Sequence, residues 1–202
     1  MKKIILSITF LLIVFIGNAQ SEDFIAISKG NLLVGGDLAI SFSSTSIKSN
    51  GNKEKASSTF VINTRPKVGY FFTDNIVGGL ELLVQSSSTK QESDDSKINV
   101  NKLAIGPFGR YYFNNGIFAE SFVGIGSGKS NIPNPLGGDT DLKSSVFGFR
   151  LGVGYSQFLG THVALEPTIN YLWESNKFDD LGTTDIMSTI EVGLGFKVYL
   201  AR

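Results

Sequence analysis

The chain has 202 residues, enough for one domain with a sizeable sheet. Its 18 basic and 18 acidic residues cancel, so there is no basic footprint for nucleic acid. It has no cysteine, which excludes a disulfide framework, a thiolate metal site and lipid attachment through a thiol.

The N-terminus reads as a secretory signal over residues 1–19. Lys2 and Lys3 form a positive start, Ile4 to Ile16 is an apolar run broken only by Ser7 and Thr9, and Gly17-Asn18-Ala19 offers small residues for cleavage. The run is too short for a spanning helix, which needs about 20 apolar residues. The mature chain, 20–202, then carries 16 basic and 18 acidic residues, a net charge of −2. Residues 21–29 read as a lead-in.

Eight stretches follow with strict two-residue alternation, at about 30–43, 59–72, 76–88, 98–113, 117–128, 144–158, 162–174 and 186–200. Period two means β-strand, because successive side chains point to opposite faces. One face carries no charge. It reads Leu32, Val34, Gly36, Leu38, Ile40, Phe42 in the first stretch and Ile190, Val192, Leu194, Phe196, Val198, Leu200 in the last. The other face collects the acids Asp37, Glu81, Glu120, Glu166 and Glu191 and the bases Arg65, Lys67, Lys102, Arg110, Arg150 and Lys197, with glycines and an occasional apolar residue between them.

Connections alternate in length. Short turns fall at Thr73-Asp74-Asn75, Asn114-Asn115-Gly116 and Leu159-Gly160-Thr161, rich in the residues that reverse a chain tightly. Long polar segments fall at 44–58, 89–97, 129–143 and 175–185 and are expected as loops. The pattern predicts an all-β fold, an eight-stranded antiparallel up-and-down barrel, with both termini on the short-turn side.

Which face is inside decides the protein's surroundings. A soluble barrel would bury the apolar face, pointing Pro66 and Pro167 into the core and leaving a surface poor in charge. The aromatic residues favour the opposite. Tyr70, Phe72, Tyr111, Phe113 and Tyr155 cluster beside the short turns, and Phe42, Phe60, Tyr171 and Trp173 lie toward the long segments. Two such rings are the interfacial girdles of a transmembrane barrel. The near balance of five acids and six bases in a narrow lumen predicts mutual pairing, centred on Glu81, Arg110, Glu120 and Arg150.

The opening Lys29-Gly30-Asn31-Leu32-Leu33-Val34-Gly35-Gly36 and the stretch Gly106-Pro107-Phe108-Gly109-Arg110-Tyr111-Tyr112-Phe113 resemble the small outer-membrane β-barrel proteins of Gram-negative bacteria, the group that includes the OmpA transmembrane domain and OmpX. The resemblance covers 20–202. It implies a cell outer-membrane location, insertion by the barrel-insertion machinery, and contact with outer-membrane lipid and lipopolysaccharide. The chain departs from the pattern in having no peptidoglycan-binding domain after the barrel. It also ends Tyr199-Leu200-Ala201-Arg202 rather than on an aromatic residue.

Signs of catalysis are weak. His162, the single histidine, sits beside a short turn, away from the rim where a lipid-modifying enzyme would work. Asp94-Asp95 and Asp139-Thr140-Asp141 lack the ligand spacing of an EF-hand and read as solvated loops. Gly124-Ile125-Gly126-Ser127-Gly128 lacks the Lys-Ser/Thr of a phosphate loop. The expectation is a non-enzymatic barrel without cofactor or metal. It would act in envelope integrity or in binding through the four long segments, with a small porin-like channel as the alternative and a lipid-modifying enzyme behind it.

Overall fold

A computed structural model describes residues 25–49, 52–92, 96–113, 115–133, 139–178 and 182–201. The leader read at 1–19 and Asp94-Asp95 lie outside them. Among the described residues there are eight long strands: β1 (Leu32–Ser49), β2 (Asn52–Phe71), β3 (Ile76–Gln91), β4 (Lys97–Tyr112), β5 (Ile117–Pro133), β6 (Asp139–Tyr155), β7 (Val163–Phe178) and β8 (Thr183–Leu200). A two-residue piece, Gln157–Phe158, pairs with Leu165 and Ala164 of β7.

Each strand pairs antiparallel with the next, and β1 pairs with β8 to close the ring. Paired residues can be followed once around, from Leu33 through Gly69, Gly79, Phe108, Phe122, Arg150 and Leu172 to Thr189. Leu33 itself pairs with Tyr199, so the ring closes with a stagger of ten residues along β8. A stagger of this kind tilts the strands and sets the barrel's width.

The short turns form as their composition demands. Thr73 Oγ1 accepts from the amide of Ile76 at 3.1 Å, Asn115 Oδ1 accepts from that of Ile117 at 3.2 Å, and Gly116 takes φ 83° to reverse the chain. His162 lies at this end, its Nδ1 2.6 Å from Thr161 Oγ1. The lead-in is also fixed here: Asn31 Nδ2 donates to the carbonyls of Ile25 and Ala26, and Ala26 is buried.

The long segments are a correction to the sequence reading. Residues 44–49 and 52–58, 89–91, 129–133 with 139–143, and 175–178 with 183–185 are strand, not loop. Asp141 is a strand residue as well. Once the neighbouring strands are in register, each hairpin adds backbone hydrogen bonds row by row without needing apolar side chains. Ser, Thr and Lys there give no hydrophobic signal, so periodicity could not reveal them.

The outward face changes character at one level. Going up seven of the eight strands, Phe42 gives way to Ser44, Phe60 to Ser58, Val84 to Ser86, Leu103 to Asn101, Ile125 to Ser127, Phe147 to Ser145 and Trp173 to Ser175, while β8 passes from Ile190 to Ser188 but keeps an exposed Ile186 beyond it. Below this line lies an apolar band that, for strands tilted about 40°, is roughly 20–26 Å tall, the height of an outer-membrane hydrocarbon layer. Above it the hairpins continue for roughly 20 Å of polar strand.

Candidate functional site: the charged lumen

The barrel is the reverse of a soluble one. Outward Leu151, Ile125 and Phe42 are 54%, 66% and 69% exposed, whereas inward Glu166 and Lys197 are 0% exposed. Pro66 and Pro167 point outward, not into a core. A face this apolar cannot meet water, and charges this buried must be paired.

The girdle residues sit at the ends of the band. Tyr70 and Phe72 make an edge contact at 5.4 Å, as do Tyr111 and Phe113 at 4.9 Å, and Tyr155 is opposite Ile117. At the upper edge Phe42 pairs with Phe60, and Phe149 stacks on Trp173 at 5.6 Å with Tyr171 beside it.

Inside, the alternation aims eleven sequence-predicted charges into one lumen. Lys67 is its centre: Nζ lies 2.8 Å from Asp37, 2.7 Å from Glu81 and 2.6 Å from Glu120, on three different strands. Arg150 bridges Glu81 and Glu120. Arg110 donates from Nε to Glu120 at 2.8 Å and from Nη1 to Glu166 at 2.7 Å. Lys197 closes the circle on Asp37 at 2.5 Å. Arg65 pairs with Glu191, which also accepts from Asn63 Nδ2 at 2.8 Å. The charges sit on aromatic faces: the Arg110 guanidinium is 3.8 Å from the Phe118 ring centre, and Lys67 Nζ is 5.1 Å from that of Phe108.

Two parts of the lumen escaped the sequence reading. Glu174, on the charged face of β7 at the end of its window, accepts from Lys102 at 3.2 Å. It brings the count among the described lumen residues to six carboxylates and six cations, all with side chains less than a tenth exposed. Its even position in β7, shared with Glu166, was the available signal. The second is an aromatic floor at the short-turn end, where Leu33, Phe71, Tyr112, Phe118 and Tyr199 are buried with Ala26. Tyr112 and Tyr199 join hydroxyls at 2.8 Å, and Tyr199 donates to Glu166 at 3.0 Å, linking floor to charge layer.

Above the layer a cavity of about 20 Å³ lies among Arg65, Arg150, Glu174, Leu83 and Phe122, room for about one water. Outside the band, Asp141 pairs with Lys129 on the neighbouring strand at 2.9 Å, and hydrogen bonds from Lys129 and Asn131 lower its pKa.

The sequence pattern of the outer membrane protein beta-barrel domain matches residues 7–197. The chain belongs to that family. This outer-membrane barrel is similar in structure to OprG from Pseudomonas aeruginosa, at 18% identity and a TM-score of 0.45, covering 88% of this chain and 100% of that one. For Ail of Yersinia pestis the values are 14% and 0.47, with 84% and 99% covered. For Neisserial surface protein A they are 16% and 0.41, with 86% and 98% covered. A search of curated proteins finds no match.

Proposed function

We propose that this outer-membrane barrel is a closed, non-enzymatic one that works in envelope integrity or adhesion through its protruding hairpins. Residues 1–19 act as a cleaved export signal, the barrel-insertion machinery places the chain, and the long hairpins face outward among lipopolysaccharide. The observation that carries the reading is the neutral layer of six carboxylates and six cations above an aromatic floor. Opening a path for ions would break several buried pairs at once, at several kcal/mol each. The polar outer faces of the hairpins, with Ser86, Asn101, Lys129 and Lys143, supply a hydrogen-bonding surface outside the band.

Single-channel recording in planar bilayers tests the closed state. No discrete steps are expected; steps on the nanosiemens scale typical of open barrels would replace this reading with a small porin-like channel. Binding of intact cells or lipopolysaccharide by the full chain, compared with a chain whose hairpins are shortened to the apolar band, tests the second half. Equal binding by both would remove the hairpins' role.

A further inference from the structure

Lysines gather on one sector of the outward face, at one height. Four residues beyond the last apolar residue of its strand, Ile125 leads to Lys129 on β5, Phe147 to Lys143 on β6 and Trp173 to Lys177 on β7. For tilted strands that step is about 10 Å along the membrane normal. Long, flexible lysine side chains therefore end in the lipid headgroup layer. β4 and β8 carry Asn99 and Ile186 at the same height, so the sector has edges. Lys129 and Lys143 face each other directly across the β5–β6 ladder, and Lys177, opposite Ser145, is diagonal to Lys143. Like charges in direct opposition destabilise a sheet. Asp141 relieves Lys129, at 2.9 Å, and Asp139 is two residues further from the band. Lys143 forms no ion pair among the described residues.

A groove of about 430 Å³ opens beside this facing pair. On its outward side two rows run across the strands. Val84, Leu103 and Ser127 make the lower row, each opposite the next, and Asn101, Lys129 and Lys143 make the upper. Below the lower row the face is apolar: Leu103, Ile105 and Ile125 are exposed and lie at the top of the band. The upper row offers two ammonium groups and a side-chain amide. An apolar bed with cationic donors along its outer edge suits an amphiphile whose head is an anion. A free anion would use the upper row alone and leave the lower one uncovered.

We infer that this sector docks one lipopolysaccharide molecule by a phosphate of its lipid anchor. The phosphate bridges Lys129 and Lys143, which turns their mutual repulsion into two charge-assisted hydrogen bonds. Asn101 donates from the side, and an acyl chain lies down over Leu103 and Ile125. Lys177 adds to the positive field on the β7 side. The inference rests on the proposed outward orientation of the long hairpins, and it names the residues by which their base holds a lipid.

The full chain in detergent micelles is titrated with bis-phosphorylated lipid A, and bound lipid is counted by native mass spectrometry. A first, saturable lipid is expected. Lys129→Gln with Lys143→Gln should weaken it about tenfold, and lipid A stripped of its phosphates should bind the unaltered chain about tenfold more weakly. Lys90→Gln with Lys97→Gln removes the same charge from a facing pair further out, where Lys90 is six residues beyond Val84. That variant should change affinity by less than about twofold. Equal weakening by the two pairs would mean general attraction to a basic surface and would overturn the site. Binding that ignores the phosphates would do the same, as would displacement of the lipid by inorganic phosphate at matched ionic strength. Orientation is read apart from affinity. The chain has no native cysteine, so an impermeant maleimide on intact cells labels Thr184→Cys only if the hairpins face outward. Absent labelling would remove the outward reading, and lipopolysaccharide as the ligand with it, whatever the titration gives. Labelling together with full affinity in Lys129→Gln/Lys143→Gln would leave the outward hairpins standing and overturn this site alone.

Discussion

Lys67 on β2 and Glu120 on β5 meet across the lumen at 2.6 Å, with two strands between them along the sheet. The contact spans the barrel rather than running along its wall. It therefore joins segments that no local ladder joins, and it does so where water cannot compensate a missing partner.

Lys67→Met should consequently be costly. It leaves Asp37, Glu81 and Glu120, whose carboxylates lie within 4.8 Å of one another, without their shared ammonium. The expected loss is about 3–5 kcal/mol, read as a lowered urea midpoint in lipid vesicles. Arg110→Met, which strips Glu120 and Glu166 of a shared partner, should show a loss of the same order. Unchanged midpoints in both would mean that the charge layer does not hold the fold.

The aromatic floor makes a separate prediction. Tyr199→Phe keeps the ring against Phe71 and Phe158 but removes the hydroxyl that contacts Tyr112 and Glu166. A loss of about 1–3 kcal/mol is expected, read as a lowered urea midpoint in lipid vesicles. A neutral variant would show that the floor is apolar packing alone.

Glycine in the lumen is spatial. A Cβ at Gly195 would run into the Asp37 carboxylate and the Lys197 ammonium. Gly195→Val is expected to cost about 1–3 kcal/mol by overpacking. At Gly109, on the outward face, an added Cβ meets only Ser121 Oγ at 3.8 Å, so Gly109→Ala should stay within about 0.5 kcal/mol. Equal effects at the two sites would argue against a filled lumen.

The height of the apolar band can be read by arginine. Leu151→Arg lies mid-band on β6 and should cost about 2–4 kcal/mol in vesicles, whereas Ser145→Arg, one step beyond Phe147, should cost about 0–1 kcal/mol. A large penalty at Ser145 would place the boundary higher on the hairpins.

The sequence by itself determined the faces. A two-residue period sends alternate side chains to opposite sides whatever the neighbours are, so Asp37, Lys67, Arg110, Glu166 and Lys197 were bound to share one side and Leu38, Leu151 and Ile190 the other. Strand number and the short turns followed from the same periodicity and from turn chemistry. Only the tertiary structure decided which charges meet. Asn63 reaches Glu191 from 128 residues away, and Lys197 reaches Asp37 from 160, because a ten-residue stagger around eight strands fixes who faces whom. The polar hairpins above the band also lay beyond reach of the sequence. Backbone pairing, unlike burial, leaves no mark on the pattern of apolar residues.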